Sequence, residues 1–247
     1  MSSVAKLLFC KKNLLVSVTS DAEDYTVFQK AWQSLDSVLS DEEYPAQEYT
    51  FTFGKKNEGL MTAGKVQYVV KGANFCKLGY QYSGVLKVVE TILKYDHLWN
   101  KIRVQGGAYG ALVNFRRNGN MYLGSYRDPN LAETVEVFDT TGDYLMNFDV
   151  PEREMTKYII GTMSGIDTPL TPAMRGDGAA ECYLRGVTHD DLQRERSEIL
   201  SATQKDIRTA GEMIRAAMAE NYLCVVGGEE KIRENEAMFG SIVSLMK

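Results

Sequence analysis

The sequence predicts an α+β fold, a largely antiparallel sheet with helices packed on one side, and three observations predict it. Segments such as "KVQYVVKG" and "YLCVVG" alternate or run β-branched, as strands do. The dipeptide Asn118-Gly119 sits between two such segments and marks a hairpin. Other stretches repeat apolar residues at spacings of three or four, the stripe of a helix with one buried face. Strands in antiparallel groups with helices between them build a helix layer on one sheet face. No linker, low-complexity segment or short-period repeat divides the 247 residues, so residues 1–247 read as one domain.

The elements follow in order. "NLLVSVT" (13–19) reads as a strand. Ser20 with Glu23 forms a capping box for a helix from about Asp21 to about Leu39, with Tyr25, Phe28, Trp32, Leu35 and Leu39 facing a core. A strand over 65–72 puts Val66, Tyr68 and Val70 on one face. A helix over 83–99 offers Leu86, Val89, Leu93 and Trp99 for burial. In the hairpin, Asn118-Gly119 suits a type I′ turn, and Tyr109, Ala111, Val113 and Phe115 share one face, with Tyr109 at the strand's mouth. A helix follows over 128–148, capped by Asn130, and another begins near Pro151, whose missing N–H does no harm there. Residues 168–178 read as a loop. Two more helices, a strand over 222–227 and a short helical tail complete the chain.

Composition narrows the function. With 44% apolar and 25% charged residues this is an ordinary globular composition, and a net charge of −5 gives no reason to expect nucleic acid. The longest apolar runs are far too short to span a bilayer, and the start lacks a signal-peptide cleavage pattern, so no membrane partner is expected. Cys10, Cys76, Cys182 and Cys224 are scattered, which predicts reduced, mostly buried thiols in a cytosol-like compartment.

The search for a self-contained catalytic centre is negative. His97 and His189 belong to neither orientation of the zinc-protease motif. His97 reads as a cationic helix end and His189 as an exposed residue beside a Thr188 cap. There is no G-x-S-x-G elbow. "VQGGAYGA" has no P-loop lysine and precedes a strand, whereas phosphate loops precede a helix. "VVGGEEKI" would set two glutamates where a phosphate belongs. The charge mixture around Arg194–Glu198 reads as a solvated helix face. What remains is "RVQGGAYG", Arg103 to Gly110. Taken alone it allows a plain reading, with Arg103 on a helix-end carbonyl and Tyr109 a half-buried strand aromatic.

"YDHLWNKIRVQGGAYGA" and "SYRDPNLAETVEVFDTTGDYL" resemble the C-terminal part of presequence proteases, of the pitrilysin/insulinase superfamily of zinc metallopeptidases. The likeness extends through "MTKYIIGTMSGIDTPLTPAMRG" and "GVTHDDLQRERSEILSAT" and, upstream, "NLLVSVTSDAEDY" and "KVQYVVKGANF", nearly the whole chain. The resemblance implies four similar α+β domains in two halves that close around a peptide, with zinc held in the N-terminal half. This chain is similar to the fourth domain alone, and Met1-Ser2-Ser3 before family-like sequence reads as the edge of a piece from a longer protein.

By the same resemblance Arg103 and Tyr109 are the arginine and tyrosine that meet substrate near the scissile bond, and Gly106 and Gly107 give a peptide room. Their chemistry suits these roles, since a guanidinium offers fixed donors and a phenol O–H donates to a developing oxyanion. Asp128-Pro129-Asn130 reads as cap chemistry, with Arg127 a candidate substrate contact. The expected partners are therefore a peptide and the N-terminal half, and the expected compartment is the cytoplasm, or the mitochondrial matrix or plastid in a eukaryote. The alternative is a non-catalytic scaffold or partner-binding domain of the same fold; an inverted H-x-x-E-H motif upstream of Met1 separates the two.

Overall fold

A computed structural model of the chain describes residues 2–43, 45, 47–51, 54 and 57–245. Met1, where the expected edge was read, lies outside them. In chain order the elements are α1 (Ser2–Leu8), α2 (Ala22–Asp36), β1 (Glu58–Thr62), β2 (Gln67–Asn74), α3 (Val85–Ile92), β3 (Gly110–Phe115) and β4 (Asn120–Asp128). Then come α4 (Ala132–Met146), α5 (Glu152–Ile166), α6 (Pro172–Arg185), α7 (His189–Leu200), α8 (Gln204–Ala219), β5 (Tyr222–Gly228), α9 (Glu229–Glu234) and β6 (Ser241–Ser244). They fall into two compact units, residues 1–53 with 168–189, and residues 54–167 with 190–247.

The smaller unit departs most from expectation. Residues 14–21 belong to no helix or strand, and Leu14, Leu15, Val16 and Val18 are all exposed. An apolar run becomes a strand only where a neighbouring chain takes its backbone hydrogen bonds. The cap of α2 is Asp21, which accepts from the Asp24 N–H at 2.9 Å, while the Ser20 hydroxyl donates to the Asp21 carbonyl. No residue of α2 is buried. Its stripe packs along its own helix instead, with the Tyr25, Phe28 and Trp32 rings 6.2 and 5.9 Å apart in sequence. The loop expected over 168–178 is a helix from Pro172, because Thr171 accepts from the Met174 N–H and proline suits the first helical position.

The larger unit holds a six-stranded sheet in the order β3-β4-β2-β5-β1-β6. The pairs β3–β4, β4–β2 and β2–β5 are antiparallel, and β1 lies parallel to β5 and β6. The sheet is thus largely antiparallel, as predicted. Alternation sorts its two faces. Val69, Val113, Phe115, Leu123 and Val225 are buried against helices, each such side chain contributing about 1.5–3 kcal/mol. Tyr68, Val70, Leu112, Tyr126 and Tyr222 are exposed on the opposite face. The face shared by Val66, Tyr68 and Val70 is therefore the open one. Lys71, buried on the helix side, is ion-paired with Asp139.

The hairpin turn is not type I′. Gly119 has φ +86°, while Asn118 has no positive φ. The Arg116 N–H donates to the Asn120 carbonyl and the Arg116 carbonyl accepts from the Gly119 N–H, both at 2.9 Å, in a three-residue loop ending in left-handed glycine. The Arg194–Glu198 mixture is not merely a solvated face either. Glu195 binds Arg117 and the Tyr82 hydroxyl, and Glu198 accepts from the Gly84 N–H at 2.6 Å, so both hold the start of α3. Of the free cysteines Cys10 is buried, but Cys76 and Cys224 are exposed at a turn and on the open sheet face, contrary to the expectation of mostly buried thiols.

Helices α4 and α8 cross on two glycines. A Cβ on Gly142 would stand 2.7 Å from the Arg215 backbone nitrogen, and one on Gly211 would stand 2.7 Å from the Met146 nitrogen. Alanine gains up to about 1 kcal/mol of helix propensity but must push two backbones apart, which costs about 1–3 kcal/mol. Gly142→Ala and Gly211→Ala are expected to lower the urea midpoint at unchanged slope. Gly178→Ala, which meets nothing within 4 Å, is expected to raise it or leave it unchanged.

Candidate functional site

The helix of α3 does not stop where the sequence suggests. It continues through π-helical turns over Leu93–His97 and Trp99–Gln105. It ends on Gly106 and Gly107. The Gly106, Gly107 and Ala108 N–H groups donate to the carbonyls of Lys101, Arg103 and Ile102 at 3.0, 3.0 and 3.1 Å. Gly107 has φ +79°, and a Cβ on Gly106 would stand 2.6 Å from the Ile102 carbonyl oxygen. Both glycines are thus fixed by the geometry of a helix end. The chain then joins the sheet, where the Tyr109 N–H donates to the Tyr126 carbonyl at 3.1 Å.

This turn lines up five side chains. The Arg103 guanidinium lies 4.7 Å from the Trp99 ring centroid and 5.3 Å from that of Tyr109. The Tyr109 ring meets Tyr126 edge-on at 5.7 Å, and Tyr126 meets Tyr68 at 5.3 Å. A guanidinium between two ring faces is held by attraction to both quadrupoles, with its N–H edges left free. Among the described residues no carbonyl or carboxylate is bonded to the Arg103 guanidinium. Tyr109 lies one residue before β3, and its ring is 64% exposed, outside the buried row of Val113 and Phe115. Trp99, expected in the core, is 42% exposed as one jaw of the clamp. Arg103, Gly107, Tyr109 and Arg127, with Val66, Val104 and Ala108, line a pocket of about 450 Å³; Gly106 stands outside that lining.

The support beneath is polar and buried. Asp128 is fully buried and accepts from the Asn130 N–H at 2.9 Å and the Thr134 hydroxyl at 2.7 Å. Asn130 does not cap α4, as its sequence position suggests. Its side-chain amide donates instead to the Gly106 carbonyl at 2.6 Å, tying the start of α4 to the glycine turn. Between these anchors and the sheet, Arg127 has φ +50°. Sequence reasoning names Trp99 and the Asp128 segment but misses this arrangement, and Tyr126 and Tyr68 are not picked out as site residues at all.

The histidines stand apart from this site. His97 is buried, stacked on Tyr144 at 4.1 Å, with no hydrogen-bond partner for Nε2 among the described residues. Burial holds its imidazole down at about 4, with Lys101 pushing the same way and Asp96 opposing. It is a neutral core residue and not the cationic helix end that was expected. Asp96 beside it accepts from the Tyr144 and Tyr158 hydroxyls at 2.9 and 3.3 Å. Burial and this carboxylate raise both phenols, Tyr158 to about 12. His189 is exposed. Among the described residues no three His, Cys, Asp or Glu side chains are grouped to hold a metal ion, and no helix is long and apolar enough to cross a membrane.

The sequence profile of the PreP C-terminal domain matches residues 57–227, a span that contains the whole site. The chain belongs to the PreP C-terminal domain family. The chain is 47% identical over 247 residues to Protein HypA of Clostridium perfringens, covering 100% of the chain and 25% of that protein. It is 31% identical over 237 residues to presequence protease 1, chloroplastic/mitochondrial, of Arabidopsis thaliana, covering 94% of the chain and 22% of that protein. The chain thus spans about a quarter of the length of these relatives. Among solved structures it is similar to pitrilysin, with TM-score 0.57 and 13% identity over 83% of this chain and 23% of that one. It is also similar to a peptidase inactive domain from Pseudomonas fluorescens, with TM-score 0.56 and 13% identity over 83% of this chain and 51% of that one. At such identity the likeness is one of fold. The chain is a peptidase-family domain, and its six-stranded open sheet belongs to the fold it shares with those solved structures.

Asp128→Ala strands the Thr134 hydroxyl and the Asn130 N–H and is expected to cost about 2 kcal/mol or more in thermal unfolding, with Asp128→Asn costing less. His97 has a folded pKa below its unfolded value of 6.5, so the unfolded state takes the proton first. The stability from its neutral form is complete above pH 6.5 and is lost as pH falls toward 4, about 3 kcal/mol in all. His97→Phe keeps the stack on Tyr144, and stability measured by urea unfolding from pH 7 to 5 is expected to fall less in that variant.

Proposed function

We propose that residues 1–247 serve as the C-terminal, non-metal-binding part of a zinc-dependent endopeptidase that degrades short unstructured peptides. Arg103 and Tyr109 take hold of the peptide near its scissile bond. One observation carries the reading: a half-buried Arg103 stacks on an exposed Tyr109 at the rim of an open sheet face, in a chain that belongs to the PreP C-terminal domain family. The Arabidopsis relative is named a presequence protease, which supports a peptide as substrate.

The roles follow from the donor chemistry. Arg103 keeps its N–H edges free for peptide carbonyls, since its two faces are occupied by Trp99 and Tyr109. The Tyr109 phenol donates to a carbonyl oxygen as negative charge grows on it. Gly107 lines the pocket without a side chain, and Gly106 keeps the approach clear by holding the turn tight. Neither histidine of this chain is placed to bind zinc, so the metal and the water it activates belong to the N-terminal half, the expected partner of this one. The chain alone does not hydrolyse peptides. The compartment is the cytoplasm, or the mitochondrial matrix or plastid where the parent carries such a leader.

The test uses the parent protein. Arg103→Ala and Tyr109→Phe are each expected to lower kcat/KM on an unstructured peptide about 10²–10³-fold at unchanged zinc content. Near wild-type kcat/KM in both variants rejects these roles. Trp99→Ala, which frees the guanidinium, is expected to give a smaller loss, seen mainly in KM.

A further inference from the structure

The pocket beside Tyr109 holds a second arginine that has no part in the function proposed above. We infer that Arg127 and Arg103 together form a carboxylate-binding pocket, which makes Arg127 a specificity residue for peptides that bring a negative charge to this end of the sheet. The inference rests on the proposed function and adds the substrate's charge to it.

Arg103 and Arg127 line the same pocket, and no aspartate or glutamate does. Of the ten other arginines, seven, at 117, 185, 194, 196, 208, 215 and 233, are each ion-paired with a carboxylate, while Arg116, Arg153 and Arg175 have no ion pair among the described residues. Among the described residues neither Arg103 nor Arg127 has such a partner, in a chain of net charge −5 that has acids to spare. The nearest carboxylate in sequence, Asp128, is turned inward and occupied by Asn130 and Thr134, so it offers the pocket no counter-ion contact.

The backbone points the same way. Arg127 is left-handed at φ +50°, a conformation that glycine adopts freely and other residues adopt at a cost of about 1 kcal/mol or more. The turn itself has no need of an arginine. The Asp128 anchor on one side and the Tyr109–Tyr126 backbone bond on the other hold the strain in place. Two guanidinium groups without counter-ions repel each other, and a carboxylate between them removes that repulsion and gains charge-assisted hydrogen bonds from both. The pocket adjoins the open face carrying Tyr68 and Tyr126, and the proposed function puts a peptide at this rim, so the carboxylate belongs to that peptide. It is either the C-terminal group or an acidic side chain.

Binding to the 247-residue chain tests this through tryptophan fluorescence, since Trp99 stacks on Arg103. Four unstructured peptides of about ten residues differ only in a C-terminal acid or amide and in one internal Glu or Gln. A carboxylate form is expected to bind about tenfold tighter than its neutral counterpart at low salt, with the gap closing as salt rises. The pair that shows the gap identifies which carboxylate is read. Arg127→Gln and Arg127→Gly, the second free of backbone strain, are expected to bring the ratio to about one while thermal unfolding shows both folded.

An equal ratio in the wild type overturns the inference, as do a ratio that survives both Arg127 variants and the absence of saturable binding by any peptide. The two proposals fail separately. An equal ratio, with cleavage by the parent still lost in Arg103→Ala and Tyr109→Phe, rejects the carboxylate pocket alone. A ratio that responds to Arg127, with cleavage unaffected by the other two, rejects the catalytic roles and keeps the pocket.

Discussion

The site depends on one buried carboxylate. Asp128 ends β4, and by holding the Asn130 N–H and the Thr134 hydroxyl it fixes the corner between that strand and α4. The same corner presents the Asn130 amide to the Gly106 carbonyl, so the end of a helix 24 residues earlier is placed by the start of another. Arg103 precedes that joint, Tyr109 follows it and Arg127 is adjacent to Asp128. All three polar groups of the pocket therefore inherit their positions from one side chain that never reaches the surface. Burying a carboxyl group is costly unless it is hydrogen-bonded, and the bonds that satisfy this one also fix the geometry.

Above that joint the structure divides labour between the two faces of its sheet. The helix side is closed by α4 and α8, whose backbones approach at Gly142 and Gly211 more nearly than any side chain would permit. The other side carries tyrosines in contact with one another, running from Tyr68 to Tyr109 and then into Arg103 and Trp99. Rings in edge-on contact restrict one another's rotation, so the arginine at the rim is oriented without any hydrogen bond to the described residues. Preorganisation of this kind leaves every donor of the guanidinium free for a ligand.

Much of the larger unit is legible in the sequence because its signals are local. The β2 alternation, the α5 start at Pro151 and the glycine of the hairpin each specify structure within a few residues. What fails is what depends on distant partners. "NLLVSVT" has strand composition but no neighbour to pair with among the described residues, and the α2 stripe has the right period with nothing buried beneath it. The strands β1 and β6, five and four residues long, are too short to show an alternation, and they exist because β5 supplies the ladder for β1 and β1 supplies it for β6. His97 fails for a related reason: a π-helical continuation of α3, invisible to a 3.6-residue period, turns an expected helix end into a buried position. The ends of the site, Arg103 and Tyr109, come from family likeness. Trp99 on Arg103 and Tyr126 on Tyr109 come only from the folded backbone.

The pairing of β1 with β5 and β6 also sets a timetable. Glu58 lies in register with Cys224 and Ser241, so an early strand waits for segments more than 160 residues later before its hydrogen bonds close. Contacts that distant carry a large loop-closure entropy and slow the search for the native arrangement. The β3–β4 hairpin and the helices of the larger unit can form from their own neighbourhoods, but one half of the sheet is completed only once residues 222–244 have been synthesised. During translation the strand over 58–62 is therefore an unpaired edge, the kind of surface that chaperones bind and that aggregates where they do not.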